Sequence, residues 1–276
     1  MYRMTADSAV YRVRAPNPSV MTGEGTNSYF IIEGDEAFLV DPGPDIIEHV
    51  EALLDALGHR MLKGILLTHM HPDHSPASNA IKAATGAAIY GIPPEPEDMV
   101  QDHSVTVDHR LRDGETLMLK TLTVEAVTTP GHTSNHLCFW LPSEHMMFTG
   151  DHIMQGSTVV IVPPFGDMQD YLSSLEKLKG YTLNSIAPGH GELITDPVDE
   201  INRLITHRLW RESKVVQGLE NQDWITLNDL TRIVYADVHE SLHELASRSL
   251  HAHLIKLCKE GRVSERGDCW RLSSKK

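Results

Sequence analysis

The chain has little cysteine and no long apolar run. Its 276 residues include three scattered cysteines, Cys138, Cys258 and Cys269, which argues against a disulfide framework and for a reducing compartment. No apolar stretch approaches the ~18 residues that a membrane-spanning helix needs. The first residues contain no apolar segment of the kind found in a secretory signal. These absences argue against a secreted or membrane-spanning protein, and we expect a cytoplasmic location.

A basic surface is also missing. The chain has 24 Lys and Arg against 38 Asp and Glu, which gives a net charge of −14 at pH 7. Such a body repels polyanions over a Debye length of ~8 Å at physiological salt. Residues 224–276 hold nine basic and seven acidic residues, a smaller basic excess than a DNA-binding face shows. The charge therefore argues against DNA as a partner.

Four potential metal ligands lie within six consecutive positions after an apolar run. Residues 64–67 are typical of the end of a buried strand, and the sequence THMHPDH follows at 68–74. On an extended strand the first two histidines share one face. The proline then breaks the strand, so that the turn directs the other two ligands elsewhere. Two diverging pairs predict a binuclear metal site. The pairs are His69 with His71 and Asp73 with His74.

Three further β-prone segments end at Gly or Pro and are followed at once by His or Asp. Residues 124–129 lead into Pro130-Gly131-His132, residues 146–149 into Gly150-Asp151, and residues 184–187 into Pro188-Gly189-His190. Glycine permits the tight backbone geometry that lets a chain approach an ion. The preceding strand holds each loop rigidly. His132, Asp151 and His190 therefore join the candidate ligands.

The motifs THMHPDH, PGHTSNH, GD and PGHG, in that order, resemble the signature of the metallo-β-lactamase superfamily over roughly residues 8–215. The resemblance implies an α/β fold, a four-layer αβ/βα sandwich, with a small C-terminal winged-helix-like domain. It also implies which residues bind each ion. His69, His71 and His132 would bind the first metal; Asp73, His74 and His190 the second; Asp151 would bridge both. Aspartate at this last position resembles the glyoxalase II and ribonuclease Z branches.

A finer resemblance concerns one subgroup of that family. The sequence GTNSY at 25–29, the helix that carries His207 and Arg208, and the tail resemble the β-lactamase-like protein 2 subgroup. That subgroup includes a mitochondrial endoribonuclease of animals and thioesterases that release polyketides from carrier proteins. The resemblance therefore constrains the chemistry more than it constrains the substrate.

The donor set predicts the metal and the reaction. All seven candidate ligands offer nitrogen or oxygen, so we expect two Zn²⁺ ions per chain, with iron or manganese as alternatives. With two carboxylates and a bridging hydroxide, about one net positive charge remains, which favours a substrate carboxylate or phosphate. The expected mechanism is hydrolysis by a metal-activated bridging water. The resemblance implies that the bridging aspartate can also receive a proton. The predicted catalytic residues are Asp73 and Asp151.

The sequence is compatible with two classes of substrate. Residues 158–165 are apolar and follow Asp151 closely, so they predict either a pocket lining for an acyl chain or ring, or a buried strand and turn. Their lack of charge favours a small-molecule ester, thioester or lactone over RNA. An endoribonuclease that cleaves single-stranded RNA is the alternative. A non-catalytic DNA-binding regulator is disfavoured because the ligand set is complete. The sequence predicts no oligomeric state.

Four more residues are candidate substrate contacts, each with a structural alternative. Asn27 contacts substrate or fixes an active-site loop, or is an ordinary turn residue. His136 donates to substrate or supports a ligand from behind. His207 and Arg208 bind a substrate anion, or belong with Glu212 to a solvated helix face.

A composition shift near 218–223 predicts two domains. Residues 1–217 form the catalytic domain and residues 218–276 the winged-helix-like domain. Helices are predicted at 77–85, 169–178, 198–217, 226–235 and 240–260, and a β-wing at 262–272. Residues 93–109 are rich in proline and acid and are predicted to be a surface insertion. We expect the tail to cap the active-site mouth or to form a dimer contact.

Overall fold

A computed structural model describes residues 2–4 and 9–273. These residues form two compact units. The first unit consists of the residues up to 129 together with 135–159 and 179–198. The second consists of residues 130–134, 160–178 and the chain from 199 onward. None of the described helices is long and apolar enough to cross a membrane.

The first unit contains a sheet whose strands follow one another in chain order. Its described strands are β1 (Tyr2–Arg3), β2 (Val10–Arg14), β3 (Asn27–Glu33), β4 (Glu36–Val40), β5 (Met61–Leu66), β6 (Ile89–Gly91) and β7 (His109–Arg110). Pairing is antiparallel up to β4 and parallel from β4 onward. Helices α1 (Ile47–Leu57) and α2 (Ser78–Thr85) lie in the crossover connections on either side of β5, as parallel pairing requires.

A second sheet of this unit has the order β12-β11-β10-β9-β8. Its strands are β8 (Thr116–Met118), β9 (Thr123–Thr128), β10 (Leu137–Leu141), β11 (Met146–Gly150) and β12 (Ser185–Pro188). Pairing is antiparallel except between β11 and β12, which are parallel. The carboxyl ends of those two strands therefore lie side by side.

Both faces of the first sheet are buried, because alternate side chains of a strand belong to two different core clusters. Tyr29 and Ile31 join a core cluster that also contains Phe148 of the second sheet. Phe30, between them, belongs to a different cluster with Leu53 of α1. Successive side chains of a strand point to opposite faces, so one face packs on the second sheet and the other on the helices. This two-sided burial holds the strand ends rigidly.

The second unit is mainly helical. Its elements are α3 (Met168–Leu178), α4 (Pro197–Leu219), β13 (Ile225–Thr226), α5 (Leu227–Val234), α6 (His243–Lys259), β14 (Val263–Arg266) and β15 (Cys269–Leu272). The strands form a small antiparallel sheet in the order β13-β15-β14. Leu230, Leu254 and Trp270 are buried together in its core. The predicted β-wing and the helices preceding it are confirmed.

The prediction that residues 93–109 are a surface insertion is wrong in part. Met99 and Val100 are exposed, but Asp98, Gln101 and Val105 are buried. The segment also ends in β7, which pairs with β6. Its proline-rich, acidic composition gave no sign of these buried contacts.

Candidate metal centre

The predicted ligands of the first unit all follow the carboxyl ends of strands. The THMHPDH segment begins two residues after β5 ends at Leu66. Asp151 directly follows β11, and His190 follows β12 by two residues. Because β11 and β12 are parallel neighbours, these last two side chains emerge at the same edge of the sheet.

One cluster consists of two aspartates and two histidines and is named here the two-aspartate group. Its members are Asp73, His74, Asp151 and His190, whose potential ligand atoms all lie within 4.8 Å of one another. His190 Nε2 is 3.2 Å from Asp73 Oδ2 and 3.2 Å from Asp151 Oδ1. His74 Nε2 is 3.3 Å from the same Asp151 oxygen. These four donors converge on one point.

A second cluster is named here the three-histidine group. Its members are His69, His71, His132 and Asp151, again with ligand atoms within 4.8 Å of one another. His69 Nε2 and His71 Nδ1 are 2.9 Å apart. Asp151 belongs to both groups, so the structure brings all seven predicted ligands into two clusters that share one carboxylate.

The residues fit a pair of divalent cations. All the donors are imidazole nitrogens and carboxylate oxygens, a set that zinc, iron and manganese accept. His74 Nε2 is buried and makes no hydrogen bond of good geometry among the described residues, although Asp151 Oδ1 lies 3.3 Å away. A Cβ added at Gly189 would lie 2.8 Å from His74 Cε1 and 2.9 Å from Asp151 Oδ1. Glycine therefore lets the backbone approach the ligands closely.

Opposite charges dominate the titration of the two-aspartate group. Burial alone would raise the pKa of Asp151, but His190 and His74 hold it well below its usual range. Burial opposes protonation of His190, yet Asp151 and Asp73 raise the pKa of His190 to about 9. Burial also opposes protonation of His74, but the same two carboxylates raise the pKa of His74 well above its usual value. In the metal-free protein, protons on these histidines therefore occupy the place that a cation would take.

The orientation of His74 depends on Asp41, which sequence analysis missed. His74 Nδ1 donates to Asp41 Oδ2 over 2.9 Å, so its Nε2 faces the two-aspartate group. The same carboxylate accepts from Thr68 Oγ1 at 2.7 Å and from Thr68 N at 2.8 Å. Asp41 follows β4 and precedes Pro42 and Gly43. That strand-end pattern had identified the other ligands and was the available signal for Asp41 too.

The His132 ring is oriented by a hydrogen bond to a backbone carbonyl. Its Nδ1 donates to the carbonyl of Val160 over 2.8 Å, which leaves Nε2 as the ligand atom. The preceding Gly131 has φ of 144°, and a Cβ there would lie 2.4 Å from Tyr171 Cα. Only glycine fits at this turn, as the PGH motif predicts.

A family profile for the Metallo-beta-lactamase superfamily matches residues 21–190, more than half of the chain. The chain belongs to the metallo-beta-lactamase superfamily. It is a hydrolase of that superfamily, with a His and Asp cluster suited to a divalent metal. The Beta-lactamase associated winged helix domain matches residues 226–270. The predicted fold class and C-terminal winged helix are thereby confirmed.

Individual superfamily members cover most of the chain. The Beta-lactamase-like protein 2 homolog of Caenorhabditis elegans is 33% identical over 262 residues, covering 92% of this chain and 86% of its own length. The Atrochrysone carboxyl ACP thioesterase of Aspergillus fumigatus is 32% identical over 219 residues, covering 77% and 65%. The crystal structure of a metallo-beta-lactamase family protein from Thermus thermophilus has a TM-score of 0.78 at 23% identity, covering 96% and 98%. The predicted subgroup resemblance is confirmed.

Asn27 supports the loop that carries His190 in this superfamily member. The side chain is fully buried, and its amide donates to the carbonyls of Pro188 at 3.0 Å and Gly191 at 2.8 Å. Its backbone N–H donates to Gly189 O over 2.8 Å. These contacts fix the loop on both sides of His190. A contact between Asn27 and substrate stays a prediction.

His136 lies behind a ligand. It is fully buried, and its ring stacks on that of His69 with centroids 5.2 Å apart and an interplanar angle of 29°. Its Nδ1 is 2.9 Å from Thr129 Oγ1. The stacking supports the His69 ring from one side. A substrate contact of His136 likewise stays a prediction.

His207 and Arg208 lie on α4 of the second unit. Arg208, Arg211 and Glu212 are all buried, so the alternative of a solvated helix face is wrong. The Arg208 guanidinium carbon lies 5.1 Å from the centroid of the Tyr171 ring. Burial, followed by the charges of Arg208 and Arg211, lowers the pKa of His207 to about 4. Anion binding by His207 and Arg208 stays a prediction.

Proposed function

We propose that this chain is a binuclear zinc-dependent hydrolase of ester or thioester bonds in small acyl substrates. The observation that carries the proposal is the sharing of Asp151 by the three-histidine group and the two-aspartate group. A carboxylate common to two ligand sets is suited to bridge two dications. When bound, the metal pair supplies Lewis acidity that activates water and polarises the scissile carbonyl.

The chain's own residues would bind the metal ions and contribute ionised carboxylates to the site. Seven residues would hold the ions, namely His69, His71, His132, Asp73, His74, His190 and Asp151. Asp73 has the most accessible side chain of the two-aspartate group, 27% exposed against 12% for Asp151. Burial alone would raise its pKa, but His74 and His190 hold the pKa of Asp73 below its usual value. Asp73 is therefore ionised, as a carboxylate that binds a metal must be. The catalytic roles predicted for Asp73 and for the bridging Asp151 are part of this proposal.

The substrate class rests on charge and on similarity. Thioesterases of Aspergillus fumigatus and of a Cryptosporiopsis species match this chain at 32% and 27% identity. The net charge of −14 disfavours a polyanion such as RNA. An acyl thioester, in which the leaving group is a thiolate, is therefore the favoured substrate.

The proposal also includes the domain boundaries and the cellular location. Residues 1–217 form the catalytic domain and residues 218–276 the winged-helix domain, which contains the match at 226–270. The three cysteines form no disulfide with one another, which supports a reducing, cytoplasmic location.

The test compares substrates on one zinc-loaded preparation. Acyl thioesters, p-nitrophenyl esters, lactones and unstructured RNA are offered in turn, and thiol, phenol, acid or RNA fragments are measured. We expect thioester or ester turnover that chelation abolishes. Asp151→Ala should lower kcat/KM about a thousandfold or more, which corresponds to about 4 kcal/mol. Asp45→Ala, at an exposed position, should have no effect. RNA cleavage without ester or thioester turnover would contradict the proposal.

A further inference from the structure

A short segment after β6 reaches from the surface to the turn that carries two of the proposed ligands. It comprises residues 93–104 and is named here the strap. Asp98 and Gln101 of the strap are 3% and 4% exposed, while Met99 and Val100 between them are exposed. Burial of two polar side chains in a loop is costly unless their hydrogen bonds are satisfied. Their partners therefore indicate what the strap does.

Every hydrogen-bonding position of the Gln101 amide is used. Oε1 accepts from Met70 N and from Asn135 Nδ2, each at 3.0 Å. Nε2 donates to Asp98 Oδ2 at 2.7 Å and to Asn135 Oδ1 at 3.0 Å. An amide group offers two donors and two acceptor lone pairs. With all four satisfied, the side chain is held in one orientation.

The contact with Met70 connects this network to the proposed metal centre. Met70 stands between His69 and His71 and is buried. Its N–H donates to Gln101, and its carbonyl accepts from the N–H of Asp102 at 2.6 Å. Both peptide groups that join the two histidines are therefore bonded to the strap. Rotation of either peptide would change the separation of the two imidazoles.

Asn135 extends the network to the residue behind His69. Its Nδ2 also donates to the carbonyl of Ile92 at 2.9 Å, just before the strap begins. Asn135 directly precedes His136, whose ring stacks on His69. The bonded side-chain amides of Gln101 and Asn135 thus connect the backbone beside His69 with the segment that carries the stacking His136 ring.

We propose that Gln101 is a positioning residue that sets the separation of His69 and His71 and so controls the affinity of the three-histidine group for its metal. This inference rests on the proposed function, because it needs that group to bind an ion. It does not place Gln101 in contact with metal or substrate. Supporting residues that orient ligands change metal affinity by about 10–100-fold when replaced.

The experiment measures each of two metal equivalents separately. Metal-free protein and a chromophoric chelator compete for Zn²⁺, and stepwise dissociation constants are fitted. Gln101→Leu should weaken one equivalent at least about tenfold and leave the other unchanged. Asn79→Ala is the matched control, because Asn79 is exposed and donates to the strap at Ser104 O over 3.3 Å without touching Met70. It should leave both equivalents unchanged.

A rescue pair keeps the test decisive if Gln101→Leu does not fold. Gln101→Glu retains an acceptor for Met70 N but places a carboxylate against Asp98 Oδ2, so it should weaken the same equivalent. Asp98→Asn combined with Gln101→Glu restores a donor at that contact and should recover at least part of the lost affinity. General loss of the fold would weaken both equivalents, so selective weakening and recovery of one equivalent distinguish positioning from a structural defect.

The outcomes separate this inference from the proposed function. Wild-type protein that does not bind two equivalents overturns the binuclear centre itself. Two wild-type equivalents together with unchanged affinities in Gln101→Leu overturn the role of Gln101. Equal weakening of both equivalents, with no recovery in the double variant, also overturns it. Selective weakening with recovery supports it.

Discussion

Asp41 shows how one carboxylate directs a ligand that lies far from it in sequence. It accepts hydrogen bonds from His74 and from Thr68 on the neighbouring strand end. These contacts fix the imidazole so that Nε2, and not Nδ1, faces the two-aspartate group. A ligand held in one orientation binds a metal without losing rotational freedom at that moment.

Replacement of this carboxylate should weaken metal binding without removing a ligand. Asp41→Asn cannot accept all three hydrogen bonds, because its amide nitrogen is a donor. We expect the affinity for metal to fall about 10–100-fold, measured by competition with a chelator. Asp45→Asn, an exposed position on the same loop, serves as the control. An unchanged affinity in Asp41→Asn would show that orientation by Asp41 is dispensable.

Metal binding should release protons from the histidines of the site. In the metal-free protein Asp151 raises the pKa of His190 against the effect of burial, to about 9, so His190 carries a proton at pH 7. A histidine must lose this proton before its ring nitrogen can bind a metal, so binding displaces that proton. Calorimetric titrations in buffers of different ionisation enthalpy should show about one proton more released at pH 7 than at pH 10. Equal release at both values would contradict the proposed ion pairs.

Residue identities were predictable where the ligands stand in consecutive motifs. THMHPDH, the two PGH motifs and the GD motif identified seven candidates, and the structure brings all seven together. Asp41 and Gln101 were not found. Asp41 has the same strand-end pattern as the ligands, but the pattern does not show that its carboxylate contacts His74 across the sheet. The role of Gln101 depends on contacts across a loop, which leave no local pattern in the sequence.

At the scale of elements, the loop after β12 depends on the absence of a side chain. Gly189 precedes His190, and a Cβ at this position would press on His74 and Asp151 at 2.8 and 2.9 Å. The loop can therefore hold His190 against the other ligands only with glycine here.

Gly189→Ala should displace the ligands and weaken metal binding at least about tenfold. Gly86→Ala is the matched control, since Gly86 ends α2 at φ of 75° with nothing within 4 Å of an added Cβ. The control should cost about 1 kcal/mol of stability through backbone strain and leave metal affinity unchanged. Thermal unfolding and chelator competition on both variants check this. Equal affinities in the two variants would contradict the close approach at Gly189.

Elements were predicted well where a pattern is long and poorly where it is short. The helices predicted at 169–178 and 198–217 agree closely with α3 at 168–178 and α4 at 197–219. Strands of two or three residues such as β6 and β7 are too short for an alternating pattern to show. The prediction that the strap lies on the surface was wrong in part, because its composition is that of a solvated loop. The side-chain amide of Gln101 nevertheless anchors it in the interior.

At the scale of the whole molecule, the metal-free protein should be most stable near neutral pH. Burial lowers the pKa of His49 to about 4, burial and nearby cations lower that of His207 to about 4, and burial lowers that of His253. In the unfolded chain each has a pKa of about 6.5. The unfolded state therefore binds more protons below that value, and stability falls with falling pH.

The loss of stability at alkaline pH has a different cause, which is a histidine whose pKa is raised in the folded protein. The raised pKa of His190 contributes stability that is complete below about 6.5 and is lost as pH rises through about 9. Denaturant unfolding of metal-free protein at pH 4.5, 6.5 and 9.5 should give the highest midpoint at 6.5. His253→Leu should reduce the fall of the midpoint between pH 6.5 and 4.5. The ring nitrogens of His253 are buried and have no hydrogen-bond partner among the described residues, so protonation of this ring favours the unfolded state. A midpoint independent of pH would contradict both assignments.

The most direct measurement is the number of metal ions bound per chain after exhaustive dialysis, by elemental analysis against protein concentration. Sharing of Asp151 between the two ligand groups predicts two ions in the wild type and fewer than two in Asp151→Ala. Asp45→Ala should retain both. One ion or none in the wild type, or two tightly held ions in Asp151→Ala, would contradict the binuclear centre.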